Sequence, residues 1–265
     1  MRTNEVFSMC ALALTMFSLG CGDDTPEGGV PWSDQRTQVL DAERNVTTVP
    51  GTAQSDGCLS YEAECLKPDD KCGELAADVV LDARGKVLDY LCYPQASTLS
   101  VEQLAAKQGD IAQNENNTVL VLDDVADGAD VAGDVAIDAN NVVIYGSSPD
   151  TAVISGSLTL DGNNSLVRGV RIQGDVSVLK NDAVLAFCVI EGDLVIEGNN
   201  VELLACDVLG SVTVRGNNAK LYANRVAGVL SGGSSPDCRD NFAFSDADGD
   251  HSVDATELGS ALSCK

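Results

Sequence analysis

The 265-residue chain is poor in aromatic, basic and histidine side chains. Aromatics make up 4% with one Trp, there is one His, and 16 Lys and Arg face 41 Asp and Glu for a formal net charge of −25. Each shortage removes a class of function. The charge balance argues against nucleic acid and anionic membrane surfaces as partners and suits cations. The sole histidine, His251, lies in an acidic loop near the C-terminus, so no Ser-His triad can be assembled. Few aromatics leave little to stack on sugar rings. The apolar run at 6–19, which follows Arg2, is short for a membrane span and reads as a signal peptide.

A repeat dominates what remains. From Gly162 to Gly233 the sequence divides into blocks of 18: GNNSLVRGVRIQGDVSVL, KNDAVLAFCVIEGDLVIE, GNNVELLACDVLGSVTVR and GNNAKLYANRVAGVLSGG. Position 2 is Asn163, Asn181, Asn199 and Asn217; position 11 is Ile172, Ile190, Val208 and Val226; position 13 is Gly174, Gly192, Gly210 and Gly228. Three short runs of alternating apolar residues, rich in Val and Ile and separated by Gly, Asn or Asp, fill each block. Such runs are strands, and a block this short cannot hold three turns and a helix as well. Each block is therefore one coil of a parallel β-helix, with equivalent residues stacked about 4.8 Å apart and the Asn column forming an amide ladder. Asn also tolerates the left-handed backbone of tight turns. Asn116-Asn117 and Asn140-Asn141 mark earlier, longer coils with outward loops at 123–130 and 146–150. The solenoid is expected to have about six coils, from Thr118 to Ser231.

This pattern resembles the right-handed parallel β-helix family, the pectate-lyase-like fold of many bacterial surface proteins. The resemblance covers about half of the chain and includes no catalytic motif of that family.

The flanks divide into a signal peptide (1–20), a tether (21–57), a cysteine-rich cap and connector (58–115) before the β-helix (116–235), and a C-terminal unit (236–265). Ten cysteines point to an oxidising compartment. Ser18-Leu19-Gly20-Cys21 resembles the lipobox of bacterial lipoproteins, although Leu19 stands two residues before the cysteine rather than three. The resemblance implies lipidation of Cys21 and, with Gly22 following, anchorage at the outer membrane or cell surface; secretion after nearby cleavage is the alternative. Residues 22–57 are rich in Asp, Thr, Gly and Pro. Cys58, Cys65, Cys72 and Cys92 allow three disulfide pairings. Segments 77–81 and 86–91 flank a hairpin turn at 82–85, and this unit is expected to close the N-terminal end of the solenoid. Residues 100–108 (SVEQLAAKQ) carry a capping-box pattern and predict a short helix. Cys188 and Cys206 share position 9 of adjacent coils, facing inward, and form either a cross-coil disulfide or two buried thiols.

The C-terminal unit carries the one motif with chemistry in it. Asp246, Asp248, Asp250, Ser252, Asp254 and Glu257 fall at positions 1, 3, 5, 7, 9 and 12 of a loop, with apolar Val253 at position 8. This resembles the EF-hand, where such oxygens bind Ca²⁺ and the final Glu supplies both carboxylate oxygens. His251 stands at position 6, where Gly is usual for its positive φ, which implies weakened affinity. The resemblance implies helices on both sides, with Phe242 on the entering one packed on Leu258 and Leu262. Cys238 and Cys264 would staple the outer ends.

The expectation is therefore an all-β protein, a β-helix between a cysteine-rich cap and an EF-hand, acting as a calcium-binding, lipid-anchored surface or periplasmic protein. Its flat faces would meet a protein or glycan, and it would not be an enzyme. The alternative is a small carbohydrate-active enzyme of the polysaccharide-lyase type, working with bound calcium and a basic residue. Against that, Asp175 and Asp193 read as exposed turn carboxylates and Asp207 with Arg225 as a surface pair, and the regular coils carry no loops to wall a cleft.

Overall fold

The computed structural model describes residues 109–122, 129–146, 148–249 and 257–264 throughout. Before them it describes the strands Arg36–Leu40, Val46–Pro50, Thr52–Ala53, Leu59–Tyr61, Glu64–Leu66, Ala77–Leu81, Val87–Cys92 and Ser100–Gln103. No helix occurs among the described residues. A regular coil contributes one short strand to each of three faces, for example Leu166–Arg168, Arg171–Ile172 and Val176–Val178. Successive coils stack in parallel register, Val167 on Leu185, Ile172 on Ile190 and Val176 on Leu194. The chain is thus a parallel β-solenoid. Following the first face from Val119 through Val143, Leu166, Val184 and Glu202 to Lys220 takes about five turns.

Alternation dictates the core. Leu120, Ile144, Val167, Leu185, Leu203 and Leu221 run down the inside of the first face, Ile154, Ile172, Ile190, Val208 and Val226 down the second, all buried. Each such side chain taken from water contributes roughly 1.5–3 kcal/mol. Both residues of each turn pair bond from coil to coil. In the first column, Asn181 Oδ1 accepts the Asn199 backbone N–H at 2.9 Å and its Nδ2 at 3.0 Å, and Asn199 repeats this with Asn217 at 3.0 and 2.7 Å; in the second, Asn200 Nδ2 donates to Asp182 Oδ1 at 3.0 Å. The second residue carries the left-handed backbone, with φ of 57° at Asn164, 59° at Asp182 and 54° at Asn200. Close approach calls for glycine at individual turns: a Cβ on Gly198 would lie 1.7 Å from the Lys180 carbonyl oxygen.

The flanks differ from the sequence reading. Ser100–Gln103 is not helical but pairs in parallel with Thr118–Val121. The backbone groups at the edge of the first coil need partners, and that long-range demand overrides a local capping pattern. The solenoid also outruns its repeat at the other end. Asp237–Arg239 stacks on Lys220–Tyr222, and Asn241–Phe244 on Arg225–Val226. The stretch read as a tether supplies Arg36–Leu40 and Val46–Pro50, whose Thr and Val favour strands; the first pairs with Ala77–Leu81. The predicted hairpin is present as Ala77–Leu81 against Val87–Cys92.

That hairpin does not lie over the solenoid's end. Val80 and Leu91 cluster with Val119, Val143, Tyr145, Leu166, Leu204 and Tyr222 on the outer side of the first face, and Asp89 meets Lys220 at 3.4 Å. The reason is the apolar cluster on the outside of this face, which needs a cover. Arg168 is buried there, donating to the Gly146 carbonyl at 3.0 Å with its guanidinium 5.1 Å from the Tyr145 ring centre. Cys21, residues 123–128 of one expected loop and the pairing of Cys58, Cys65, Cys72 and Cys92 lie outside the described residues. The other expected loop contains a turn, the Thr151 N–H donating to the Ser148 carbonyl at 3.1 Å.

Candidate metal centre

The C-terminal unit is a strand pair, which corrects the helix-loop-helix expectation. Leu258–Leu262 runs antiparallel to Asn241–Phe244, with Asn241 opposite Leu262, Phe242 opposite Ala261 and Phe244 opposite Leu258. The residues explain this. Asn241–Phe244 continues the second sheet by pairing with Arg225–Val226, Gly259 and Ser260 are weak helix formers, and the edge of that sheet offers unpaired backbone to the returning chain. Phe242 is therefore a solenoid strand residue rather than part of an entering helix. The predicted bond between Cys238 and Cys264 is present, with Cα atoms 6.1 Å apart.

Between the strands, three of the six expected ligands are described, and they converge. Carboxylate oxygens of Asp246, Asp248 and Glu257 all lie within 4.8 Å of one another. Oxygens held at 2.3–2.6 Å from one Ca²⁺ can be no more than about 5 Å apart, so the spacing fits a shared hard cation. The backbone places each group. The Ser245 N–H donates to the Glu257 carbonyl at 3.0 Å, closing the mouth of the loop. Glu257 is buried, and its Oε1 accepts the Ala247 N–H at 2.6 Å. Asp246 Oδ1 accepts the Gly249 N–H at 2.9 Å, and Gly249 takes φ 76°, a conformation natural to glycine. Asp250, His251, Ser252 and Asp254 lie outside the described residues.

The residues weighed for lyase chemistry are engaged otherwise. Asp175 Oδ1 accepts the Asp193 N–H at 2.8 Å, and Asp193 Oδ1 accepts the Ser211 N–H at 2.7 Å, a carboxylate ladder parallel to the Asn ladder. Arg171 lies between Glu191 at 3.3 Å and Asp150 at 3.7 Å. The Asp207–Arg225 pair is not at the surface. Both residues are buried, and Arg225 donates through Nε and Nη2 to the two carboxylate oxygens. Burial pushes the Asp207 carboxyl up, and Arg225 acts against that rise.

Beneath this pair runs a polar column in an otherwise apolar core. Cys188 and Cys206 are free, buried thiols. The Cys188 N–H reaches Cys206 Sγ at 3.5 Å, the Cys206 N–H donates to Asn224 Oδ1 at 2.9 Å, and the Asn224 N–H to Asn241 Oδ1 at 3.0 Å. Burial raises the Cys206 thiol well above its usual range. The sequence reading missed Asn224 and Asn241, although their place at or next to the Cys188 and Cys206 position marked them. No family model, curated protein or solved structure matches the chain.

Proposed function

We propose that the protein is a calcium-binding, lipid-anchored component of the bacterial cell surface or periplasm, with a right-handed β-solenoid as a non-catalytic scaffold or adhesive body. The carrying observation is the convergence of Asp246, Asp248 and Glu257 within 4.8 Å, in a loop whose remaining expected ligands are Asp250, Ser252 and Asp254. In this reading the ion supplies charge neutralisation at the loop, holding the last strand on the solenoid end. Asp246 and Asp248 approach it from one end of the loop and Glu257 from the other. The right-handed winding is what right-twisted parallel strands favour. Anchorage follows from the lipobox-like Cys21, and the solvent-facing coils are the surface offered to a protein or glycan. Engagement of Arg171, Asp175, Asp193, Asp207 and Arg225 in contacts between coils supports a non-catalytic role.

Calorimetric calcium titration with thermal melts, on wild type and Glu257→Gln, tests the reading. Saturable one-site binding with a melt raised by calcium is expected for wild type, and at least about tenfold weaker binding for the variant. Absence of both heat and melt shift at millimolar calcium would refute it.

A further inference from the structure

We propose that the calcium loop is conditional on the Cys238–Cys264 bond, so that only the oxidised chain holds the ion. This rests on the calcium reading and adds the control of that same site. The ligands divide between the two ends of the loop. Asp246 and Asp248 follow Asn241–Phe244, and Glu257 immediately precedes Leu258–Leu262. Their mutual distance is therefore set by whether the two strands are paired. The returning strand has little of its own to hold it there. It stands last in its sheet, against one neighbour, and Gly259, Ser260 and Ala261 are exposed. The disulfide supplies what burial does not. Cys264 follows that strand by two residues and is tied to Cys238 on the last strand of the first face, 26 residues away in sequence. Cys238, Cys264 and Leu262 all pack against the solenoid core, so the bond pins the strand to that core.

Without the bond, the strand opens for part of the time and carries Glu257 away from Asp246 and Asp248. Apparent affinity then falls in proportion to the fraction of molecules with the strand closed. The bond forms by exchange with a disulfide-bearing oxidant. The two thiols give up two protons and two electrons, the Sγ–Sγ bond forms, and the oxidant's disulfide becomes two thiols. Linkage is reciprocal, so calcium must protect the bond against reduction by the factor by which the bond strengthens calcium binding.

The test titrates CaCl2 into the full chain, oxidised wild type against Cys238→Ser/Cys264→Ser, with circular dichroism reporting the solenoid in each. Binding at least about tenfold weaker in the variant, with the solenoid signal kept, is expected. Equal affinity overturns the inference, whereas no binding by oxidised wild type overturns the calcium reading itself. A second measurement needs no substitution. Wild type is equilibrated over a range of dithiothreitol with and without millimolar calcium, then alkylated and mapped by mass spectrometry at Cys238 and Cys264. Calcium is expected to raise the dithiol concentration for half reduction of this bond at least about tenfold. A bond whose reduction ignores calcium overturns the inference.

Discussion

Asp207 and Arg225 occupy the same position of adjacent coils, and replacing one of them measures how far the second face is closed to water. The pair is 7% and 5% exposed respectively, with Arg225 bidentate on the carboxylate. An exposed ion pair contributes about 0–1 kcal/mol. Breaking a buried one strands a charge and costs about 3–5 kcal/mol. Arg225→Met is therefore expected to lose about 3 kcal/mol or more at pH 7.

The loss must also depend on pH in a stated direction. Burial already raises the Asp207 carboxyl, and Arg225 is the main group opposing the rise. With Arg225 gone, the folded-state pKa climbs further above the unfolded value. A carboxyl shifted this way contributes stability that is fully present below its unfolded pKa and is lost as pH rises through the folded one. Arg225→Met should thus be least impaired near pH 4 and increasingly so towards neutrality. Asp207→Leu/Arg225→Met removes both charges and should recover most of the loss. Urea unfolding followed by circular dichroism, with disulfides intact, gives the midpoints at both pH values, compared at constant m. A loss below about 1 kcal/mol at pH 7, or one independent of pH, would refute the reasoning.

Three further outcomes follow from the same geometry. Gly198→Ala places a methyl 1.7 Å from the Lys180 carbonyl oxygen, so neighbouring coils must part; a loss of about 1–3 kcal/mol is expected, and an unchanged thermal midpoint would contradict it. The Tyr222 phenol is pushed up to about 12 by burial and by its hydrogen bond to Asp237. Its contribution to stability is present below the ordinary value of 10.0 and is lost as pH rises through about 12. Ultraviolet titration should show a late-titrating component that Asp237→Asn diminishes, and a single transition near pH 10 for all tyrosines would exclude this. Cys188 and Cys206 should resist thiol reagents in the folded protein and react in urea, as peptide mapping would show. Labelling of either under native conditions would contradict their burial.

The regular coils were legible because each position meets the same physics every 18 residues. Val and Ile at position 11 are buried in every coil, and Asn at position 2 bonds to Asn one coil away. The turns were read less finely. One Asn column was assigned both the ladder and the left-handed backbone, and the molecule gives the second task to Asn164, Asp182 and Asn200. Legibility ended where the period did. Asn241 follows Asn224 by 17 residues, so the repeat stops while the sheets continue through Phe244. The hairpin at Ala77–Leu81 and Val87–Cys92 was visible because its signals are local. Its docking was not, since Asp89 and Lys220 are 131 residues apart and no local pattern joins them.

The acidic loop divides along the same line. Spacing within a loop is a local property, and carboxylate oxygens of Asp246, Asp248 and Glu257 lie within 4.8 Å of one another. The flanking helices came with the family resemblance and not from residues 241–244 or 258–262. Beyond its oxygen ligands, a calcium loop needs its two ends held together, and a pair of strands can do that as a pair of helices does. In the calcium proposal, strands in place of helices change what the ion would be coupled to. Helices joined to a loop can move as a separate lever. Here Asn241–Phe244 is the last parallel strand of the second sheet, and Leu258–Leu262 completes it. Under the calcium proposal, closing the loop around an ion and finishing the solenoid would be one event, so whatever loosens the final strand would loosen the site as well.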